Sequence, residues 1–275
     1  MRAPRYLSIA AALAAIPVPG LQAQTRDATA ILSAARDALG GDKRLSAVKT
    51  FVLTGRTRQV QGDNLVPIEL EISCELPAKF VRKDEIPAQK SGPTTVGFNG
   101  DELIQIPPQT PLPLPLGRPD GQRVPTPEQL DAARRTRIIG AKQEFARLAL
   151  GMFASSFSSY PLNFTYVGQA EAPQGMADVL EATGPANLTM RFFVYRDTHL
   201  PVMVSWQGGS SAARDAVPGQ PPENRIYFAD YREVDGLRLP FRLRRALGPD
   251  TIEETTFDRF RVNAKIDPKK FEVRK

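Results

Sequence analysis

The side chains with the greatest capacity for chemistry are few in this chain. There is one histidine, His199, and one cysteine, Cys74. His199 lies in the segment 196–201, whose composition is typical of a turn between two strands. A zinc site takes several Cys or His ligands, and the chain has no Gly-x-Ser-x-Gly motif for a histidine to serve. We therefore predict no metal site and no catalytic residue, and we interpret Cys74 as a small buried hydrophobic residue.

Paired carboxylates can carry out acid–base chemistry without a histidine. Glu69 and Glu71 share one face of a predicted strand and lie about 7 Å apart from the strand rise alone. Glu253 and Glu254 are adjacent and point to opposite faces. We interpret both pairs as solvated, and a hydrolase with a hidden acidic pair is the third functional alternative. Glycine loops of the Walker or dinucleotide type are absent from the sequence, so we expect no cofactor.

Strand-like segments dominate the chain and must position any site. The segment 65–76 alternates apolar and acidic residues, and 237–247 alternates apolar residues with arginine and proline. This alternation favours antiparallel strands with one buried face and one solvated face. The other predicted strands span 48–59, 79–86, 94–99, 102–106, 163–170, 176–183, 188–196, 201–207, 224–234 and 251–262.

A single sheet of this size must curl or split. We therefore predict a mainly β (α+β) fold, in which a strongly curved antiparallel sheet forms a half-open barrel. An N-terminal helix and a central helical lid accompany the sheet. Apolar residues recur with helical spacing over 28–39, and Gly40 and Gly41 end this first helix.

The central helical segment is predicted over 128–156. Thr126 is its cap and Pro127 occupies the first helical position. We expect a break near Gly140 or Gly151. The basic side of this segment is either a solvated face or a membrane-surface face, and it consists of Arg134, Arg135, Arg137, Lys142 and Arg147.

The segment 107–127, which precedes that helix, is rich in proline. It holds eight prolines, and proline fixes the backbone near the polyproline II conformation. Two interpretations stay open. The segment is a surface connection, or it is a flap over the sheet or a docking segment for a partner.

The N-terminus has the pattern of a secretory leader. Arg2 and Arg5 precede an apolar run of about ten residues at 7–16, which is shorter than the ~20 residues that span a bilayer. We predict a signal peptide over 1–23 that is cleaved on export to the periplasm. The remainder, 24–275, is predicted to form a single domain.

The charge of the chain argues against nucleic acid as a partner. The formal net charge is +6, and it falls to +4 without the leader, which contains two arginines and no acids. This surplus is small and is spread along the sequence, whereas nucleic-acid-binding proteins concentrate basic residues.

The apolar face of the curved sheet is the predicted binding site. A concave, mostly apolar surface without catalytic groups suits a hydrophobic ligand, and burial contributes ~0.8 kcal/mol per methylene. The alternative is that this face is a core covered by the helices. The predicted pocket residues are Leu53, Leu70, Ile72, Phe80, Met152, Phe153, Phe192, Val194, Leu239 and Phe241.

Several short motifs occur in a characteristic order along the chain. They are the helix ending at Gly40-Gly41 with FVLTG at 51–55, the corner PAKFVR at 77–82, the hairpin NGDEL at 99–103, DYREVDGLRLPF at 230–241 and IDPKKF at 266–271. In this order they resemble the LolA-like periplasmic lipoprotein-carrier superfamily, in its outer-membrane lipoprotein-sorting branch. The likeness extends over nearly all of 24–275.

The resemblance implies an incomplete antiparallel barrel with a helical lid and a non-enzymatic role. The implied partner is a lipid or the acyl chain of a lipoprotein. Carriers of this superfamily have an arginine before the corner proline that helps to hold the lid shut, and Leu76 stands there in this chain. Leu103, Ile104 and Gln105 likewise replace expected aromatic residues. The alternative function is an envelope interaction module, which uses the sheet as a scaffold and the proline-rich loop to dock an outer-membrane or envelope protein.

Overall fold

The structure is a computed structural model that describes residues 27–62, 64–90, 92–108, 126–208 and 222–273. The predicted signal peptide and most of the proline-rich segment lie outside the described residues. The helices are α1 (Ala28–Ala38), α2 (Asp42–Ala47) and α3 (Pro127–Phe153), with a 3-10 turn at Pro268–Phe271. The strands are β1 (Thr50–Gln61), β2 (Asn64–Glu75), β3 (Lys79–Glu85), β4 (Thr94–Asn99), β5 (Glu102–Ile106), β6 (Asn163–Ala172), β7 (Gly175–Gly184), β8 (Leu188–Tyr195), β9 (Pro201–Gln207), β10 (Glu223–Val234), β11 (Leu237–Leu247) and β12 (Asp250–Val262).

These strands form one antiparallel sheet, in the order β5-β4-β3-β2-β1-β12-β11-β10-β9-β8-β7-β6. Strands that follow one another along the chain are neighbours within each half, and the pairing of β1 with β12 joins the two halves. The edge strands β5 and β6 do not pair with each other, so the barrel stays open. The predicted mainly β fold with an unclosed sheet is confirmed, and the predicted strands agree with the observed ones to within two residues at each end.

The central helix α3 connects the two edges of the sheet. Because β5 and β6 lie at opposite edges, the chain between them has to cross one face. Helix α3 makes this crossing and packs against β4, β5, β9 and β11. Its start is set by a capping box, in which Thr126 accepts from the backbone N–H of Gln129 and the Gln129 side chain accepts from that of Thr126. We call the face that α3 covers the concave face.

The predicted break in this helix is wrong, because α3 runs without interruption from Pro127 to Phe153. Gly140 faces open space. Gly151 lies against the ring of Phe228 on β10, where a Cβ atom would overlap the ring. The two glycines therefore leave the helix intact, and the second permits close packing on the sheet.

Two glycines in the sheet allow neighbouring strands to approach closely. A Cβ atom on Gly55 of β1 would overlap the carbonyl of Thr256, and one on Gly97 of β4 would overlap that of Phe80. Glycine within a strand marks such close backbone approach, which accompanies sharp local bending.

The main core fills the space between the concave face, α1 and α3. The rings of Phe80, Phe98 and Phe145 pack with centroids 5.6–6.0 Å apart, which ties β3 and β4 to α3. A smaller cluster lies on the other face, where Phe271 of the 3-10 turn packs on Val81 and Ile104.

Candidate functional site

The ten predicted pocket residues come together, but in a packed core. All belong to the main core cluster, and none is more than 7% exposed. Met152 and Phe153 are part of α3 itself, which fills the deep part of the concave face. The space left there is about 20 Å³, and Leu70, Ile72 and Phe80 form part of its lining. The deep face is therefore covered by the helix, as the alternative interpretation expected.

A larger cleft of about 480 Å³ lies beside this core, between the middle of α3 and residues of β1 to β5, β11 and β12. Its volume falls within the roughly 300–1,000 Å³ of small-molecule sites. One part of its lining is apolar and consists of Ile68, Phe80, Val96 and Ala141. The cleft and the small deep cavity share the lining residues Phe80, Arg82, Glu144, Arg245 and Glu253, so the cleft adjoins the apolar core.

A network of charged side chains lies where the cleft adjoins the core. Arg82 Nε donates to both carboxylate oxygens of Asp84 at 2.9 and 3.0 Å, and its Nη2 donates to Glu253 at 3.3 Å. Arg245 forms ion pairs with Glu253, at 3.5 Å, and with Glu144 of α3. The network therefore connects β3, β11 and β12 to the helix.

Burial and neighbouring charges act in opposite directions on the two arginines of this network. Burial alone would lower the pKa of Arg82, but Glu253 and Asp84 raise it above its usual value. Burial lowers the pKa of Arg245 to about 10, with the nearby charge of Arg82 acting in the same direction and Glu253 opposing it. Both side chains stay protonated at neutral pH.

Arg137 contributes a third positive charge to the cleft. Its Nη1 donates to Gln105 Oε1 on β5 at 3.1 Å. Within the described ranges, no carboxylate lies at ion-pair distance from this guanidinium. Gln105 is one of the positions where the resembled family was expected to have an aromatic residue, and here it provides a polar contact between β5 and α3.

Sequence reasoning missed that Glu253 is largely covered. We interpreted Glu253 as solvated, whereas its side chain is 13% exposed and contacts Arg82 and Arg245. The period-two alternation of side chains along β12 could have indicated this. Glu253 is separated by two and four residues from Thr255 and Phe257, which are both buried, so it shares their face.

The predicted basic side of α3 also needs correction at one position. Arg147 is 8% exposed, and its guanidinium lies over the ring of Trp206 on β9, 4.0 Å from the centroid. Burial lowers its pKa to about 10. Arg147 thus packs the helix on the sheet, while Arg134 and Arg135 are exposed.

Of the residues considered for catalysis, Glu253 lines the cleft, whereas His199, Cys74 and Glu71 lie apart from it. His199 has a positive φ of 56° in the turn between β8 and β9. Cys74 is fully buried, and burial raises the pKa of its thiol well above the usual value. Glu71 pairs with Lys270 at 2.5 Å beside the 3-10 turn. No three of the described His, Cys, Asp and Glu side chains come together as a group that could hold a metal ion.

Across the ranges that the structure covers, none of the helices is both long enough and apolar enough to cross a bilayer.

These features define the class of the protein as an open antiparallel barrel with a long helix across its concave face. The fold is LolA-like: it is similar to that of a LolA superfamily protein from Nitrosomonas europaea, with a TM-score of 0.54 and 14% identity, over 89% of this chain and 97% of that chain. This confirms the fold that the sequence motifs implied.

Two further solved structures align at lower TM-scores. An outer membrane lipoprotein-sorting protein domain from Vibrio parahaemolyticus has a TM-score of 0.49 and 9% identity, over 89% of this chain and 97% of that chain. A DUF1329 family protein from Desulfovibrio piger has a TM-score of 0.44 and 9% identity, with the same coverage. No family model and no curated protein sequence matches the chain.

Proposed function

We propose that the protein is a non-enzymatic binder or carrier of a lipid or acylated molecule, such as the acyl chain of a lipoprotein. The observation that carries this proposal is the cleft of about 480 Å³ beside the apolar core. Such a site favours ligands that gain from apolar burial. The LolA-like fold supports the same function, and the leader-like N-terminus supports a periplasmic location and a role in outer-membrane biogenesis.

In the absence of helix movement, the ligand binds in the cleft, with its acyl chain along the wall formed by Ile68, Phe80 and Val96. Phe80 connects this wall to the predicted deep pocket. The remaining predicted pocket residues, from Leu53 to Phe241, contact a chain only if α3 moves away from the sheet. In this proposal the helix is a lid whose inner surface occupies the deep site in the absence of ligand.

Two measurements test lipid binding. Protein purified gently from a periplasm is examined by native mass spectrometry for a co-purifying lipid. Lipid-free protein is titrated with a fluorescent fatty acid. Binding in the titration together with a co-purified acylated molecule supports the proposal. If the protein neither carries a lipid nor takes up the probe, the proposal is wrong.

A matched pair of variants locates the site. Val96→Trp places a large side chain in the cleft, and we expect affinity for the fluorescent fatty acid to fall about tenfold or more. Val167→Trp on β6 is the control, because Val167 is 49% exposed, close to the 44% of Val96, and is not among the cleft residues. Equal affinity in both variants would place the ligand elsewhere.

A second function is favoured by the packing of α3. Because the helix already fills the deep concave face, the sheet can act as a scaffold for an envelope interaction module. The proposed docking element is the proline-rich segment, most of which lies outside the described residues. Deletion of 108–124 tests this function. Loss of capture of an envelope protein, with folding and fatty-acid uptake unchanged, supports docking, and unchanged capture rejects it.

A further inference from the structure

We propose that the cleft prefers an amphiphile with an anionic head, a carboxylate or a phosphate, and that Arg137 binds this head. The inference rests on the proposed function, because the chain of the same molecule occupies the apolar wall of the cleft. It adds a chemical class of ligand and a residue that selects it.

Six charged side chains line the cleft. Three arginines and three carboxylates are present, and they are Arg82, Arg137, Arg245, Asp84, Glu144 and Glu253. All three carboxylates contact Arg82 or Arg245. Arg82 and Arg245 are therefore each held in ion pairs, whereas Arg137 is the arginine of the cleft that forms no ion pair with these carboxylates.

Arg137 differs from the other two arginines in its partner. Its contact among the described side chains is the neutral Gln105, at 3.1 Å. A half-buried guanidinium without a carboxylate at ion-pair distance gains from an added anion, because charge-assisted hydrogen bonds are roughly twice as strong as neutral ones. The planar fork of donors on arginine also matches the two oxygens of a carboxylate or a phosphate.

The position of Arg137 fits a ligand whose head group lies toward the exposed start of α3. Arg137 and Ala141 are four residues apart and so lie on the same side of α3. Ala141 belongs to the apolar wall, whereas Arg137 is one turn nearer to the exposed start of the helix. Gly140, which also lines the cleft, carries no side chain and faces open space. In this proposal, a ligand whose acyl chain lies along Phe80 and Val96 has its head group near Arg137.

The test compares charged and neutral probes that carry the same palmitoyl chain. Palmitate carries a carboxylate and lysophosphatidic acid carries a phosphate. Methyl palmitate and monopalmitoylglycerol are neutral. Affinities are measured by displacement of a fluorescent fatty acid at low ionic strength. We expect the wild-type protein to bind palmitate about tenfold more tightly than methyl palmitate, or lysophosphatidic acid about tenfold more tightly than monopalmitoylglycerol. The pair with the larger difference in affinity identifies the head group as a carboxylate or a phosphate.

Three variants assign this preference to Arg137. Arg137→Gln should remove the preference by weakening the binding of the anionic probes about tenfold more than that of the neutral probes, while Arg137→Lys should keep part of it. Arg134→Gln is the matched control, because Arg134 is exposed on the same helix and is not among the cleft residues. Urea denaturation of each variant checks that the fold is intact.

The outcomes separate this inference from the proposed function. If charged and neutral probes bind wild-type protein equally, or if Arg137→Gln weakens all probes alike, the assignment of the head site is wrong and lipid binding stands. If none of the four probes binds, the proposed function fails together with this inference.

Discussion

Glu144 on α3 and Arg245 on β11 form an ion pair that joins the central helix to the sheet at the inner end of the cleft. The two side chains are 25% and 20% exposed, so water screens the pair only in part. Arg245 also contacts Glu253 of β12 at 3.5 Å. The pair therefore couples the position of the proposed lid to the charge network of the cleft.

Removing the carboxylate of this pair should destabilise the fold. In Glu144→Gln, Arg245 keeps Glu253 but loses its partner on the helix. Loss of one partner of a fully buried pair costs about 3–5 kcal/mol, and partial exposure reduces the expected cost here to about 1–3 kcal/mol. Urea denaturation measures the change in the free energy of unfolding.

The control for this variant is an exposed ion pair on the sheet. Arg56 and Asp258 lie 3.5 Å apart with side chains 74% and 53% exposed. Asp258→Asn should change the free energy of unfolding by less than about 0.5 kcal/mol. Similar losses in the two variants would contradict a structural role for the Glu144–Arg245 pair.

The two glycines of α3 should respond in opposite directions to alanine. In Gly151→Ala the new methyl group overlaps the ring of Phe228, so we expect a loss of about 1–3 kcal/mol from overpacking. In Gly140→Ala nothing opposes the methyl group, and the higher helix propensity of alanine should add about 0.5–1 kcal/mol. Urea denaturation of both variants makes the comparison, and a gain in stability for Gly151→Ala would contradict the observed packing.

Tyr231 should make stability depend on pH in the alkaline range. Its hydroxyl lies 2.9 Å from the carbonyl oxygen of Gly151 and 3.1 Å from that of Pro201, which connects α3 with β9 and β10. Burial raises the pKa of this phenol well above 10, with Arg238 acting in the opposite direction. The folded state therefore favours the protonated form.

The sign of the effect follows from this shift. Because the pKa is higher in the folded than in the unfolded state, the stabilising contribution is complete below about pH 10 and is lost as the pH rises above it. Tyr231→Phe should cost about 1 kcal/mol at pH 7.5, and the difference from wild type should shrink at pH 10.5. Urea denaturation at both values measures this. A difference that grows with pH would contradict the assignment.

Much of the fold could be predicted because its signals are local. Period-two alternation identified β2 and β11. Asp235 and Gly236, between the predicted strands 224–234 and 237–247, both have a positive φ, as a two-residue hairpin turn requires. Each of these signals depends on residues a few positions apart. Strand positions therefore agreed closely with the structure.

The cleft could be predicted only in part, because its members come from distant segments. Phe80 was recognised as an apolar pocket residue, but Arg82 and Glu253 are 171 positions apart and meet through the pairing of β1 with β12. Arg137 was assigned to a basic side of the helix without a partner. Nothing local indicated that Gln105 of the edge strand would contact it.

The sequence by itself determined which segments became strands and helices and which side of each strand was apolar, because these properties follow from spacing and turn chemistry within short stretches. Tertiary structure alone decided what covers the apolar side. The two edges of the sheet have to be connected across its concave face, so α3 occupies the deep part of that face. The space that remains is a cleft beside the helix, lined on one side by apolar residues and on the other by charges from β3, β11, β12 and α3.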